Sequence, residues 1–203
     1  MSDRDLVWYA AYGSNLSWER FRCYLQGGKP ADGDRTYPGS RDRSEPRESR
    51  DGWLPYGFHF ARRSTVWGGG VAFVDPATSG RLPVRLWLIT REQFADVFAQ
   101  ENRLIDPPQL DERDATHSVR RVAASWYGTI VRGPDVEETA VLTFTAAEPA
   151  AAAAPTVPYL QTMAVGLRES HGWTTARTAE HLCASAGMEQ WRPELLERAL
   201  EGG

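Results

Sequence analysis

The sequence predicts an α+β fold. Short segments with strand character come first along the 203-residue chain, and helical periodicities gather toward its end. Regular alternation of strand and helix is missing, which argues against a doubly wound parallel sheet. No internal repeat interrupts the pattern, and the length suits a single domain over residues 1–203.

Taken in order, an apolar run from Leu6 to Tyr12 breaks into Gly13-Ser14-Asn15. It resumes as Leu16, Trp18, Phe21, Tyr24 and Leu25 at helical spacing. A strand therefore hands over to a helix, about 14 to 26, through a tight polar turn. Residues 33–52 are rich in Gly, Pro, Arg and Asp without apolar periodicity and are expected to form a long surface loop. "LPYGFHFAR", "GGGVAFVD" and "LPVRLWLI" read as three strands, being short, rich in aromatic or β-branched residues and bounded by Gly or Pro. A helix follows from about Thr90 to Leu104, stopped by Asp106-Pro107-Pro108.

"SVRRVAASWYGTIV" and "ETAVLTFT" give two more strands, expected to pair as a hairpin. The alanine-rich stretch 146–156 lies between strand and helix with flanking prolines, and reads as a tether. Thr156 is placed to cap a helix carrying Leu160, Met163, Ala164 and Leu167 on one face. Ala179, Leu182, Cys183 and Ala186 mark another, stopped by Gly187, and "PELLERAL" a last short one.

Composition excludes several classes of function. Hydrophobic residues make up 41% and charged residues 25%, as in ordinary globular proteins. The net charge is −4, and no basic stripe interleaved with aromatics marks a nucleic-acid partner. No apolar run is long enough to span a bilayer, and the N-terminus shows no basic region followed by a cleavage site. A cytoplasmic protein without a membrane partner is expected. Cys23 and Cys183 are too few for a disulfide framework and are expected to be reduced and buried. His59 lies in a strand, with Phe58 and Phe60 on the opposite face, and reads as structural; His117, His171 and His181 show no metal-ligand spacing, so no metal is expected. Gly-x-Ser-x-Gly, His-Glu-x-x-His and phosphate-binding glycine loops are missing. Ser14 has no histidine assigned to it as a base and reads as a turn residue.

The helix "TREQFADVFAQENRL" holds the most informative residue. Phe94, Val97, Phe98, Leu104 and Ile105 share a face, and Glu101 falls in the middle of that stripe. Glu92 and Asp96 project to the other side, where solvated charge is expected. Two readings of Glu101 stay open: a structural ion pair or hydrogen bond to a buried arginine, or an acid/base whose pKa is raised by apolar walls.

"YAAYGSNL" resembles the N-terminal signature of the gamma-glutamylcyclotransferase-like family, in which a strand runs into Tyr-Gly-Ser-Asn-Leu and then a helix. "STVWGGGVAFV" resembles its Ser-x-x-Trp-x-Gly-Gly-x-Ala strand, and "PTVPYLQTMAVGLRESHG" its C-terminal Ser-Pro-x-Tyr-Leu-x-x-x-x-x-Gly helix. The glutamate helix lies between them in the family's order. Here the local segment is "VFAQEN", with Phe98 and Asn102 where the family usually has Asp and Gly.

The resemblance implies a mixed, partly closed β-barrel flanked by helices. It implies a substrate cradle of Tyr12, Gly13, Ser14, Asn15 and Leu16, with Glu101 as acid/base and no cofactor. The implied partner is a small γ-glutamyl substrate, whose α-amine attacks its own γ-carbonyl to release 5-oxoproline and an amine. Such an intramolecular attack needs no protein nucleophile. Two other readings belong to the same fold: a binding protein without turnover, and an amidohydrolase that admits water to the pocket.

Overall fold

The computed structural model describes residues 6–202 except 32, 34, 111–117 and 149. At its centre is β1, Leu6–Ala11, with every residue buried. Successive side chains on a strand point to opposite faces. Trp8, Ala10 and Tyr12 accordingly enter one core and Val7, Tyr9 and Ala11 another. A strand apolar on both faces needs cover on both, and the rest of the chain supplies it.

The remaining strands are β2 (Glu48–Ala61), β3 (Val71–Thr90), β4 (Val119–Arg121), β5 (Thr129–Val136) and β6 (Thr139–Thr145). They form one sheet in the order β2-β3-β1-β6-β5-β4, antiparallel except where β1 meets β6. The sheet curls into a half-barrel, in agreement with the α+β class and the partly closed barrel. Bonds across the curl tie its sides together: the Tyr56 hydroxyl donates to the Arg132 carbonyl at 2.6 Å and the Thr145 hydroxyl to the Val74 carbonyl at 2.6 Å.

Among the described residues five helices cover the sheet: α1 (Trp18–Gln26), α2 (Arg91–Asn102), α3 (Val157–His171), α4 (Thr175–Cys183) and α5 (Pro193–Glu201). α1 and α2 pack on the Val7 face through Phe21, Phe94, Val97 and Phe98. α3, α4 and α5 pack on the Trp8 face through Leu160, Met163, Leu182 and Leu196.

Several boundaries differ from those read in the sequence. The first helix opens as a single 3-10 turn, Ser14–Leu16, before α1 starts at Trp18. "GGGVAFVD" and "LPVRLWLI" are one strand: β3 runs through Pro76 and Gly80, because an irregularity in its pairing near Tyr56 and Gly57 absorbs the intervening residues. "SVRRVAASWYGTIV" divides into β4 and β5. α4 ends at Cys183, short of Ala186, and Cys183 is half-buried rather than buried.

The stretch 33–52 is more than a surface loop. Residues 48–52 open β2, and Tyr37 and Ser40 are buried. Ser40 donates through its backbone N–H to the Leu25 carbonyl at 2.9 Å, and Arg41 pairs with Asp96 at 2.9 Å. Asp96 is therefore buried beneath this segment instead of solvated. Ile105 lies beyond the end of α2 and is 97% exposed, so it leaves the stripe that its spacing suggested. The described residues of 146–156 form no helix; Ala153 N–H bonds the Phe60 carbonyl and Gly70 N–H the Ala154 carbonyl, pinning this stretch beside β2.

Candidate active site

Where β1 ends, Leu16 N–H closes on the Gly13 carbonyl at 3.1 Å and Ser17 N–H on the Ser14 carbonyl at 3.2 Å. The N–H groups of Ser14 and Asn15 stand at the open start of this turn, where no earlier carbonyl of the turn can close on them. Ser14 N–H faces the Tyr159 hydroxyl.

Three neighbours hold the turn. The Trp87 indole donates to the Asn15 carbonyl at 3.0 Å, and Arg85 to the Leu16 carbonyl at 3.1 Å. Arg85 is ion-paired with Glu169 of α3, which also accepts from Trp18 N–H at 3.1 Å. Both sides of the turn are thus clamped by one ion pair. α3 approaches so closely at Gly166 that a β-carbon there would lie 2.3 Å from Leu16 Cβ.

Tyr12, Gly13, Ser14 and Asn15 line a cavity of about 310 Å³, and Glu101 enters it from the last turn of α2. Leu16, named with them in the sequence, does not line it. Its side chain is buried in the core beneath α3, because the 3-10 turn directs it away from the cavity. Gly13 lets the Tyr159 hydroxyl come close: a β-carbon there would sit 2.8 Å from it.

The Asn15 amide joins the turn to the glutamate. It donates to Glu101 Oε1 at 3.1 Å and also lies 3.2 Å from the Tyr9 hydroxyl. Burial raises the Glu101 pKa above the ordinary carboxylate value. The Tyr24 hydroxyl, the Arg20 charge, the Asn15 amide and the Arg35 charge pull it partly back. No ion pair to Glu101 forms among the described residues, which leaves the structural ion-pair reading without its arginine. Tyr9, Tyr12, Tyr24, Tyr127 and Tyr159 have their hydroxyl pKa values pushed up by burial, so they stay protonated as neutral donors. Among the described lining residues there is no histidine or cysteine. His59 stacks on Phe73, and His171 and His181 lie against Trp173. His117 is outside the described residues.

Arg20, Arg35, Tyr37, Trp67 and Tyr127 also line the cavity and were not evident as site residues in the sequence. One of them carried a readable signal: Arg20 stands four residues from both Leu16 and Tyr24, on the inward face of α1. It is 5% exposed, and its guanidinium lies between the rings of Tyr37, at 5.0 Å, and Trp67, at 4.9 Å. It also donates to the Tyr37 hydroxyl. Such ring contacts are worth about 0.5–2 kcal/mol, against several kcal/mol for desolvating an ion. Arg35 donates to the Gln100 carbonyl at 3.1 Å. Asn102 secures Tyr127, accepting from its N–H at 2.8 Å and donating to its carbonyl at 3.2 Å.

No family model matches the sequence. Histone deacetylase 5 of Arabidopsis thaliana is 38% identical over 152 residues, 68% of this chain and 23% of that protein. The chain thus spans about a quarter of the length of the curated relative it matches. Among solved structures, a gamma-glutamyl cyclotransferase superposes with a TM-score of 0.53 at 16% identity, covering 98% of this chain and 99% of that one. The uncharacterized protein loc79017 from Homo sapiens gives 0.54 at 16% identity, covering 97% and 99%. At this identity the likeness establishes the fold.

Proposed function

We propose that the protein is a cyclotransferase acting on a γ-glutamyl amine or peptide, with Glu101 as the acid/base. The observation that carries the reading is a carboxylate, raised in pKa by burial, that shares its cavity with the start of a 3-10 turn and is bonded to it through Asn15. The likeness in fold to a gamma-glutamyl cyclotransferase supports it.

In this reading Glu101 takes a proton from the substrate's α-ammonium. The freed amine attacks the γ-carbonyl, and a five-membered ring forms as the carbonyl electrons move to oxygen. Asn15 N–H and the Tyr159 hydroxyl, which accepts from Ala72 and Ser14 N–H and so keeps its own proton uncommitted, offer donors to that oxyanion. Collapse breaks the bond to the departing nitrogen, which receives the proton held by Glu101; the carboxylate so freed takes the extra proton still on the ring nitrogen and passes it to the departed amine, so that 5-oxoproline leaves with an ammonium and Glu101 returns to its carboxylate form. Tethering amine and carbonyl in one molecule supplies the large effective molarity that makes a protein nucleophile unnecessary. A carboxylate raised toward neutrality suits both proton transfers.

Incubation with a panel of γ-glutamyl compounds, read by mass spectrometry, tests the reading. It requires 5-oxoproline. Free glutamate would make the protein an amidohydrolase, and ligand bound but unchanged would make it a binding protein.

A further inference from the structure

Among the described residues, no carboxylate offsets the burial of the Arg20 guanidinium. A guanidinium stays charged at any pH a protein meets. This one is 5% exposed, pairs with no carboxylate among the described residues, and keeps a buried Nε without a hydrogen-bond partner. The rings of Tyr37 and Trp67 and the Tyr37 hydroxyl fix its position, so it is ordered in advance of any ligand. Their contacts do not replace the hydration it has lost. Glu101 lines the same cavity but stands outside ion-pair distance, so one positive and one negative group face the space separately. Arg35 and Arg103 also line it, so the described lining residues carry an excess of positive charge in a chain whose net charge is −4.

We infer that Arg20 is the anion-binding residue of this cavity and that it takes a carboxylate of the substrate, which makes it a determinant of substrate class. The inference rests on the cyclotransferase reading of the site. A γ-glutamyl substrate offers two sources of the group: the α-carboxylate of the glutamyl part, or an acid group on the departing amine. In either case a planar guanidinium meets a carboxylate in a fork geometry that a lysine cannot reproduce.

Arg20 and Trp67 also border a second cavity of about 550 Å³ between α1, α3 and α4. A carboxylate reaching Arg20 from that side would not be the reacting substrate's. Thr162 lines the second cavity and not the first, so Thr162→Trp fills one and spares the other.

The test compares wild type with Arg20→Met on three compounds able to close a ring. γ-Glutamyl-alanine carries both carboxylates, γ-glutamyl-propylamide only the α-carboxylate, and 4-aminobutyryl-alanine only the one on the departing amine. Arg20→Met should lower kcat/KM by roughly tenfold to a hundredfold for compounds bearing the anchored carboxylate and change the remaining one little. Loss confined to the two γ-glutamyl compounds identifies the α-carboxylate; loss confined to the two alanine compounds identifies the departing amine. Equal loss on all three, or none, overturns the inference. So does a loss of the carboxylate preference in Thr162→Trp.

Because Arg20 is buried, Arg20→Lys is measured beside it, and the same pattern at smaller amplitude is expected. Calorimetric binding of the three compounds accompanies the rates. Wild-type protein that closes none of them refutes the cyclotransferase reading, while their binding to wild type and variants still decides whether Arg20 selects a carboxylate.

Discussion

Gly166→Ala should damage the site without touching the cavity. The added β-carbon would stand 2.3 Å from Leu16 Cβ and 2.4 Å from the Leu16 carbonyl carbon. Non-bonded carbons rest at roughly 3.5–4.0 Å, so α3 and the turn must separate by about 1 Å or more. Part of the obstruction is backbone, which cannot rotate aside as a side-chain tip would. Arg85 and Glu169 hold the turn to β3 and α3, so the shift strains that clamp as well. Overpacking of this kind costs about 1–3 kcal/mol, and a misplacement of about 1 Å in a reacting geometry costs on the order of a hundredfold in rate. Asn15, bonded to Glu101, travels with the turn. Urea unfolding and 5-oxoproline release are measured on one preparation. A folded variant with stability lowered by that amount and turnover lowered about a hundredfold is expected. Full turnover in a destabilised variant would refute the role given to the turn.

Asn102→Ala removes both bonds to the Tyr127 backbone and should raise KM several-fold at a cost of about 1–3 kcal/mol; steady-state kinetics with thermal unfolding checks it. Gly13→Val drives a side chain toward the Tyr159 hydroxyl and should abolish ligand binding in a folded protein, as read by titration calorimetry. His181 has its pKa lowered from 6.5 to about 4, chiefly by burial, then by the nearby His171 and Arg177 charges. A depressed histidine contributes stability above its unfolded pKa and loses it as pH falls through the folded one. At about 1.4 kcal/mol per pH unit, wild type should lose about 3 kcal/mol between pH 6.5 and 4 that His181→Leu does not lose, as measured by urea unfolding across that window.

What could be read in the sequence was whatever depended on near neighbours. β1 and the turn after it follow from an apolar run broken by Gly13-Ser14-Asn15, and α2 follows from its apolar stripe; the structure adds the Thr90 cap, whose side chain accepts from Gln93 N–H. Glu101 stood out because it interrupts that stripe. Arg20 interrupts the face of α1 in the same way, and the same geometric reasoning finds it. Long-range packing was invisible: Asp96 looked solvated because nothing local reveals that Arg41 folds back over it from 55 residues away. Tyr37, Trp67 and Tyr127 reach the cavity on connecting segments whose paths depend on the whole sheet. Pro76 and Gly80 resembled strand ends, yet pairing with β2 continues past both.

Glu101→Gln, assayed for turnover and stability on one sample, addresses the proposed role most directly. Glutamine keeps the shape and can still meet Asn15 but cannot exchange a proton, so turnover should fall by roughly 10²- to 10⁴-fold. Ligand binding should persist. A carboxylate raised in pKa by burial favours the fold while protonated and loses that contribution as pH rises through the folded pKa. The variant should therefore equal or exceed wild type in stability at neutral pH, with the gap closing in acid. A variant that still releases 5-oxoproline at the wild-type rate, and is less stable by the roughly 3–5 kcal/mol of a broken buried ion pair, would show that Glu101 holds the structure together instead of moving the proton.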